Sequence, residues 1–157
     1  MVELLVVIAI IGVLATLLLL QLGVARAKAR DIKRIADVNQ LRTTIELYFD
    51  DNSGKYPTAL TIANLGKYLT SSALPVDPVT AANYFYAYNT AASPTQFHIW
   101  TELEQKNASA LTADADISSA GWTGNALDAS NPVTTEACTA AYAAGAARDC
   151  VYDQGQK

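Results

Sequence analysis

A long uncharged apolar segment at the N terminus constrains this chain more than any other feature. Residues 4–25 contain no charged side chain and are dominated by Leu, Val, Ile and Ala. As a helix, these 22 residues would be about 33 Å long, close to the ~30 Å thickness of a bilayer core. A cleaved signal peptide would begin with basic residues and end at a small-residue cleavage site, whereas this chain has Glu3 in front and a helical pattern behind. The segment therefore predicts a membrane-spanning helix.

Charge is divided unevenly along the 157 residues, whose net charge is −4. Residues 1–25 carry −1, residues 26–42 carry +4 and residues 43–157 carry −7. This division is unlike the mixed surface of an ordinary soluble enzyme, and it leaves no broad basic face for a nucleic acid. With 51% hydrophobic residues, the chain also has too much apolar surface to remain disordered.

Two features give opposite indications of the compartment. Five basic residues follow the apolar segment within nine positions, which usually marks the cytoplasmic side of a membrane. The only two cysteines, Cys138 and Cys150, are twelve positions apart in a polar region, which favours a disulfide in an oxidising compartment. Two free thiols or a metal pair are the alternatives, although a single histidine leaves too few ligands for a Cys/His zinc site.

Residues 2–15, with the sequence VELLVVIAIIGVLA, resemble the N-terminal segment of type IV pilins and of the related pseudopilins of type II secretion. The resemblance is carried by a glutamate in front of an apolar helix and a glycine nine positions later, and it continues through the basic residues to Tyr56. It implies an α+β fold, in which a long N-terminal helix packs on a small antiparallel β-sheet head with a disulfide-closed C-terminal loop. It also implies that a prepilin peptidase removes a basic leader and that the head lies outside the membrane, which resolves the conflict over compartment.

The resemblance assigns roles to residues of the apolar helix. Glu3 would pair with its own N-terminal amine or that of the next subunit and set the axial register, because a carboxylate in apolar surroundings is costly unless it is paired. The alternative is that Glu3 lies at the membrane surface, where a helix N terminus favours an anion. Gly23 is a candidate point for helix melting, because glycine weakens a helix interior by roughly 1 kcal/mol. The filament core would be formed by Leu4, Leu5, Ile8, Ile11, Gly12 and Leu14.

Two positions depart from the family pattern. The family glutamate usually lies two residues further from the mature N terminus, behind an N-methylated phenylalanine, whereas only Met1 and Val2 precede Glu3 here. We expect either that the sequence starts within the mature chain or that Met1 is an unusual processed end. The proline that often follows the glycine by eight positions is replaced by Leu20.

Hydrophobic periodicity divides the chain into three predicted parts. Residues 1–25 form the apolar helix, residues 26–51 its amphipathic continuation and residues 52–157 the globular head. Because no proline precedes Pro57, one helix can run to about Asp50. The apolar stripe of its second half is predicted to contain Ile32, Ile35, Val38, Leu41, Ile45 and Tyr48.

The predicted head begins with a short helical pattern around Leu65. Alternating side chains then predict a β-hairpin with strands at 84–88 and 96–103. Residues 104–139, rich in Ala, Ser, Thr and Asp, are predicted to form a long surface loop with at most one short strand near Trp122.

The sequence contains no Gly-rich phosphate-binding loop, no Ser-x-x-Lys motif and no His-Glu-x-x-His motif. His98 is the only histidine, and its place in a predicted strand favours a packed or surface side chain over a catalytic base. Asp114 and Asp116 are spaced like two calcium ligands, but residues 117–120 add no carboxylate. We therefore predict no enzyme activity, no cofactor and no metal site.

The resemblance, together with these observations, implies a major subunit of a type IV pilus, held in the inner membrane before assembly and then displayed in a filament on the cell surface. Its partners would be further copies of itself in a helical homopolymer, the membrane, the prepilin peptidase and the pilus assembly machinery, with no specific nucleic-acid site. Adhesion, twitching motility and DNA uptake would belong to the polymer. A pseudopilin of type II secretion is the nearest alternative, because Tyr56-Pro57 and residues 74–78 (LPVDP) resemble the pseudopilin linker. A membrane-tethered binding module is the other alternative.

Overall fold

A single helix of 50 residues, α1 (Val2–Asp51), forms the N-terminal part of the chain. The computed structural model describes residues 2–71, 73–90, 92–129, 138 and 150–156. No proline interrupts α1, and the helix ends where the N–H groups of Asn52 and Gly54 both donate to the carbonyl of Phe49. Gly54 has a φ of 74°, a left-handed conformation that glycine adopts without steric cost. The predicted continuous helix is confirmed.

The two halves of α1 differ in exposure. Every described side chain before Ala27 is exposed, whereas one face of the second half is buried against the head. The predicted stripe is wrong at its start, because Ile32 is 64% exposed while Asp31 and Arg34 are buried. Ion pairs and hydrogen bonds from head loops engage Asp31 and the Nε and Nη1 of Arg34, which offsets the cost of burying these two polar side chains. The buried face consists of Ala27, Asp31, Arg34, Val38, Leu41, Thr44 and Ile45.

Within the described residues, the head is built on a four-stranded antiparallel sheet with short helical segments around it. The strands lie in the order β3-β1-β2-β4. The helical segments are α2 (Ile62–Leu65), a 3-10 turn (Gly66–Tyr68) and α3 (Ala108–Leu111), and the strands are β1 (Phe85–Tyr88), β2 (Phe97–Glu102), β3 (Thr123–Gly124) and β4 (Val151–Gln156). The short helix expected around Leu65 is confirmed.

The predicted hairpin is confirmed as the pair β1 and β2, in which Phe85 faces Trp100 and Tyr88 faces Phe97. The C-terminal strand β4 was not predicted, because its sequence VYDQGQ is mostly polar. β4 nevertheless pairs with β2 along its whole length and completes the sheet.

The face of the sheet toward α1 carries the main hydrophobic core. Aromatic and aliphatic side chains from β1, β2 and β4 alternate onto this face and pack on the second half of the helix. Polar contacts at the border hold the layers in register, including a hydrogen bond of 2.8 Å from Arg42 Nη1 to Gln154 Oε1. The buried members from α1 and the sheet are Val38, Leu41, Ile45, Tyr86, Tyr88, Phe97, Ile99 and Tyr152.

The opposite face of the sheet is covered by the residues on either side of β3, 112–122 and 125–129, which we call the covering segment. Trp100 stacks on Phe85 there with 4.1 Å between ring centroids, and its indole N–H donates to the carbonyl of Asn125. The prediction of a surface loop over residues 104–139 is wrong for residues 108–129, because α3 buries Leu111 and the covering segment buries Ile117. The expected short strand near Trp122 is confirmed as β3. Residues 130–137 and 139 lie outside the described residues.

The two cysteines form the predicted disulfide, with an S–S distance of 2.01 Å between Cys138 and Cys150. Cys150 is buried directly before β4, and its carbonyl accepts a hydrogen bond from the N–H of Leu103. The bond therefore attaches the chain around Cys138 to the start of the last strand. The α+β architecture of long helix, small antiparallel sheet and disulfide is thus present in the structure.

Candidate functional site

The uncovered first half of α1 is the largest apolar surface of the described structure. The large side chains assigned to a filament core are each more than half exposed: Leu4 72%, Leu5 65%, Ile8 60%, Ile11 59% and Leu14 55%. Soluble monomers rarely leave a contiguous apolar surface of this extent in water. A surface of this kind is typical of a segment that a membrane or another protein covers.

By length and composition, α1 is able to cross a membrane, and none of its most apolar 18-residue window is buried by the rest of the chain. A signal sequence close to the N terminus of a chain meets the same criterion. The apolar first half of α1 is therefore suited to act as a membrane anchor or a signal sequence.

Two glycines lie in this apolar half, and no contact within the described part of the chain requires them. A Cβ placed on Gly12 or Gly23 would meet no atom within 4 Å. Each glycine weakens the helix interior by about 1 kcal/mol relative to alanine. A contact outside the monomer, such as the close approach of another helix, would account for retaining them.

Glu3 lies in the first turn of α1 with an exposed side chain. Within the described residues it forms no hydrogen bond or ion pair. The helix N terminus favours the carboxylate at this position. The N-terminal amine that we predict as its partner lies outside the described residues.

A buried ionic cluster joins the second half of α1 to two loops of the head. Arg34 is fully buried, and its guanidinium contacts three carboxylates. Nε lies 2.6 Å from Asp77 Oδ2, while Nη1 lies 2.7 Å from Asp31 Oδ1 and 2.7 Å from Glu104 Oε1. Arg30 also forms an ion pair with Glu104. We call Arg30, Asp31, Arg34, Asp77 and Glu104 the ionic clamp.

The carboxylates of the ionic clamp also organise the backbone around them. Asp31 accepts hydrogen bonds of 2.9 Å from the N–H groups of Glu104 and Gln105. Asp77 Oδ1 accepts hydrogen bonds of 2.8 Å from the N–H groups of Val79 and Thr80. The clamp thus fixes both head loops against one side of the helix, just above its exposed half.

The clamp shifts the pKa values of Arg34, Asp77 and Glu104 toward their charged forms. Burial alone would raise the pKa of Asp77, but hydrogen bonds from Arg34 and from the N–H groups of Thr80 and Val79 outweigh it and lower the pKa to about 2. The hydrogen bond from Arg30 lowers the pKa of Glu104 against the opposing effect of burial. Burial opposes the charge of Arg34, yet hydrogen bonds to Asp77, Glu104 and Asp31 raise its pKa further.

A second buried polar group, which the sequence did not reveal, lies under the covering segment. His98 Nδ1 is 2.8 Å from Ser119 Oγ, and His98 Nε2 is 3.0 Å from Asp153 Oδ2, although Nε2 is not aligned for a hydrogen bond. Asp153 accepts hydrogen bonds from the N–H groups of three consecutive residues, 115–117. Ser119 Oγ donates to the carbonyl of Leu127.

These residue types also occur in hydrolase triads, but His98, Ser119 and Asp153 are all fully buried. Their contacts run to the backbone of the covering segment, so the group attaches that segment to the sheet. No local sequence pattern joins the three, because they lie on β2, on the covering segment and on β4. Within the described residues, no group of three or more His, Cys, Asp or Glu side chains is arranged to hold a metal ion.

The fold and these sites define an α+β chain in which a head is clamped to the second half of a long helix and the apolar first half is left uncovered. Comparison with protein-family models, curated proteins and solved structures finds no match for this chain.

Proposed function

We propose that this chain is a structural subunit of a type IV pilus, which polymerises into a filament on the cell surface. The observation that carries the proposal is the exposed apolar half of α1, which projects from a folded head and has no cover within the monomer. The resemblance of residues 2–15 to type IV pilins supports the same function.

In the proposed cycle, the apolar half of α1 first lies in the inner membrane with the head outside. A prepilin peptidase and the pilus assembly machinery act on this membrane-held form. Assembly then exchanges the lipid around the helix for the helices of neighbouring copies. Gly12 suits this exchange because a helix without a side chain at that position can be approached closely by another helix.

Glu3 would direct the exchange through its charge. An isolated carboxylate among apolar helices is strongly disfavoured, whereas one paired with an N-terminal amine is tolerated. An incoming subunit would therefore be most stable in the one axial position that places its amine beside Glu3 of a neighbour, or its own Glu3 beside a neighbour's amine. In this way Glu3 would set the register of the filament.

The test is helical reconstruction, by cryo-electron microscopy, of filaments sheared from cells that produce the chain, together with a Glu3→Ala variant. We expect side-chain density of this sequence in wild-type filaments, with Glu3 in the filament core near a neighbour's N terminus. We expect Glu3→Ala to lose surface filaments while the chain remains folded in the membrane fraction. Asp50→Ala is the matched control, because Asp50 is an exposed carboxylate on the head-bearing half of the same helix. Normal filaments from Glu3→Ala would refute the register role.

The second candidate is a pseudopilin of type II secretion. It is favoured by the linker residues Tyr56 and Pro57, which the core holds in place: Tyr56 is buried, and Pro57 accepts a hydrogen bond from Tyr86 Oη at 2.7 Å. A chain that is absent from surface filaments, remains in the membrane fraction and is required for secretion would identify this function. A membrane-tethered binding module would remain in the membrane and would not respond to the loss of Glu3.

A further inference from the structure

The hydrogen bonds around the buried Ser119 hydroxyl determine which atom of the His98 ring carries a proton. Ser119 Oγ lies 2.9 Å from the carbonyl oxygen of Leu127, which accepts the hydroxyl hydrogen. The same Oγ accepts a hydrogen bond of 2.9 Å from the N–H of Leu127. Because a hydroxyl has only one hydrogen to donate, the hydrogen in the 2.8 Å contact between His98 Nδ1 and Ser119 Oγ must come from the histidine. Nδ1 is therefore protonated.

Asp153 lies in a cradle of backbone N–H groups that favours its charged form. Oδ1 accepts hydrogen bonds of 3.0 Å from the N–H groups of Ala115 and Asp116, and Oδ2 accepts one of 2.8 Å from Ile117. Asp116 has a φ of 46°, a left-handed conformation that is uncommon outside glycine. Successive N–H groups around such a residue form a concavity that binds anions. Three N–H donors stabilise a carboxylate relative to a carboxylic acid.

The second ring nitrogen of His98 faces this carboxylate, with 3.0 Å between Nε2 and Asp153 Oδ2. In a neutral ring with its proton on Nδ1, Nε2 would turn a bare lone pair toward a negatively charged oxygen, and both atoms would be acceptors. A proton on Nε2 removes this repulsion and makes the ring a cation. Its attraction to the carboxylate offsets the cost of burying both charges, since each side chain also has other polar partners.

The neighbouring elements bring uncharged or negative groups to His98. Its partners in the sheet are Ala87 on β1 and Gly155 on β4. The helix α1, with its basic residues, packs on the opposite face of the sheet. The covering segment carries three further carboxylates, whose negative charge also favours a cation: Asp114, Asp116 and Asp128.

We infer that His98 and Asp153 form a buried imidazolium–carboxylate pair, which acts as a pH-sensitive latch for the covering segment. Histidine is the side chain whose charge ordinarily changes between about pH 5 and pH 8. Loss of the Nε2 proton at higher pH leaves a bare nitrogen against Asp153 and weakens the attachment of residues 115–117 to the sheet. The latch belongs to the head and does not depend on the function proposed above.

The test is nuclear magnetic resonance of the full chain in non-ionic detergent, labelled with a nitrogen isotope and prepared without a histidine tag. His98 is the only histidine, so the two ring-nitrogen signals belong to it. At about pH 5.5 we expect both ring nitrogens to be protonated and to have similar chemical shifts. As the pH rises to about 9, the Nε2 proton should be lost. Amide protection at residues 115–117, corrected for the intrinsic pH dependence of exchange, should then fall about tenfold.

Asp153→Asn tests the partner of the imidazolium. This variant removes the negative charge but keeps a side-chain oxygen that accepts hydrogen bonds from the backbone. His98 should then be neutral at about pH 5.5, with one protonated and one bare ring nitrogen. Asp50→Asn is the matched control, because it changes an exposed aspartate of α1 and should leave the ring signals unchanged. If Asp153→Asn does not fold, the ring signals of the wild-type chain decide the question.

A neutral ring in the folded wild-type chain at about pH 5.5 would overturn the inference, because a cation would then be absent from the pair. A ring that keeps both protons at about pH 9 would show that the pair is not a pH-sensitive latch. Constant amide protection at residues 115–117 while the ring loses its proton would likewise refute the latch, because the charge would not be what holds the covering segment.

Discussion

Arg34 is the residue whose environment is most unusual, because it is a fully buried cation surrounded by three carboxylates. Two of its partners come from head loops, 43 and 70 positions away in the sequence. Removing one partner of a buried ion pair is costly, since it leaves the other charge without compensation. The ionic clamp therefore stabilises one rotation of α1 about its axis, relative to the head, much more than slightly different rotations.

The clamp predicts a loss of stability in acid. Because the pKa of Asp77 is lowered to about 2 on folding, its contribution is complete above the ordinary aspartate pKa of about 4 and is lost as the pH falls toward 2. We expect wild-type chain in non-ionic detergent to lose about 2 kcal/mol of unfolding free energy from this group between pH 5 and pH 2. Urea unfolding, followed by tryptophan fluorescence, measures it.

Asp77→Asn removes the titrating group, so its unfolding free energy should vary less with pH over the same range. It should also be less stable than wild type at pH 7, because Arg34 loses a charged partner. Asp50→Asn makes the same change at an exposed position and should keep the wild-type pH dependence. If the unfolding free energy of Asp77→Asn varied with pH as steeply as that of wild type, this carboxylate would not be the source of the acid sensitivity.

The helix α1 is one element with two environments. Its second half is stabilised by the core and the ionic clamp. Its first half is stabilised by its own backbone hydrogen bonds and by the lipid or protein outside the monomer. Gly23 lies between these halves, four residues before the first buried position at Ala27. Local opening of α1 should therefore be easiest near Gly23.

Gly23→Ala should close this weak point, because alanine stabilises a helix interior by about 1 kcal/mol over glycine and meets no atom in the monomer. We expect amide hydrogen exchange at residues 20–26 to slow about fivefold in detergent. Gly12→Ala is the control and should slow exchange around its own position only. Unchanged exchange at residues 20–26 would contradict a weak point at Gly23.

At the scale of the whole molecule, the sheet is enclosed between α1 on one face and the covering segment on the other. The last strand, β4, contributes to both layers, because Tyr152 packs toward the helix and Asp153 binds the backbone of the covering segment. The disulfide anchors the chain immediately before that strand. β4 and the disulfide before it therefore join the two layers of the head.

The double variant Cys138→Ser and Cys150→Ser tests this closure without leaving a free thiol. The disulfide joins residues with a sequence separation of 12, for which the loop-entropy relation gives about 3 kcal/mol. We expect a loss of that size in urea unfolding and faster amide exchange in β4 and at residues 115–117. Wild-type chain treated with a reductant should behave like the variant. Unchanged exchange in β4 would show that the strand is held by the sheet alone.

The sequence by itself determined the features that depend on neighbouring residues. The uncharged apolar run, the absence of proline before Pro57, and the alternation in β1 and β2 each act within a few positions, and the structure contains the helix and hairpin that they predict. The presence of two cysteines in a polar region predicted the disulfide, because two thiols in an oxidising compartment pair with each other whatever the fold.

Only the tertiary structure decided which polar residues enter the core and which apolar residue leaves it. Hydrophobic periodicity predicts that Asp31 and Arg34 are exposed and that Ile32 is buried. In the fold, carboxylates and backbone N–H groups of the head bind Asp31 and Arg34, whereas Ile32 remains exposed. β4 and the buried covering segment were not predicted either, because their polar residues are also buried against partners that are distant in sequence. The cost of burying a polar group depends on partners that are distant in sequence, and those partners are defined only once the chain has folded.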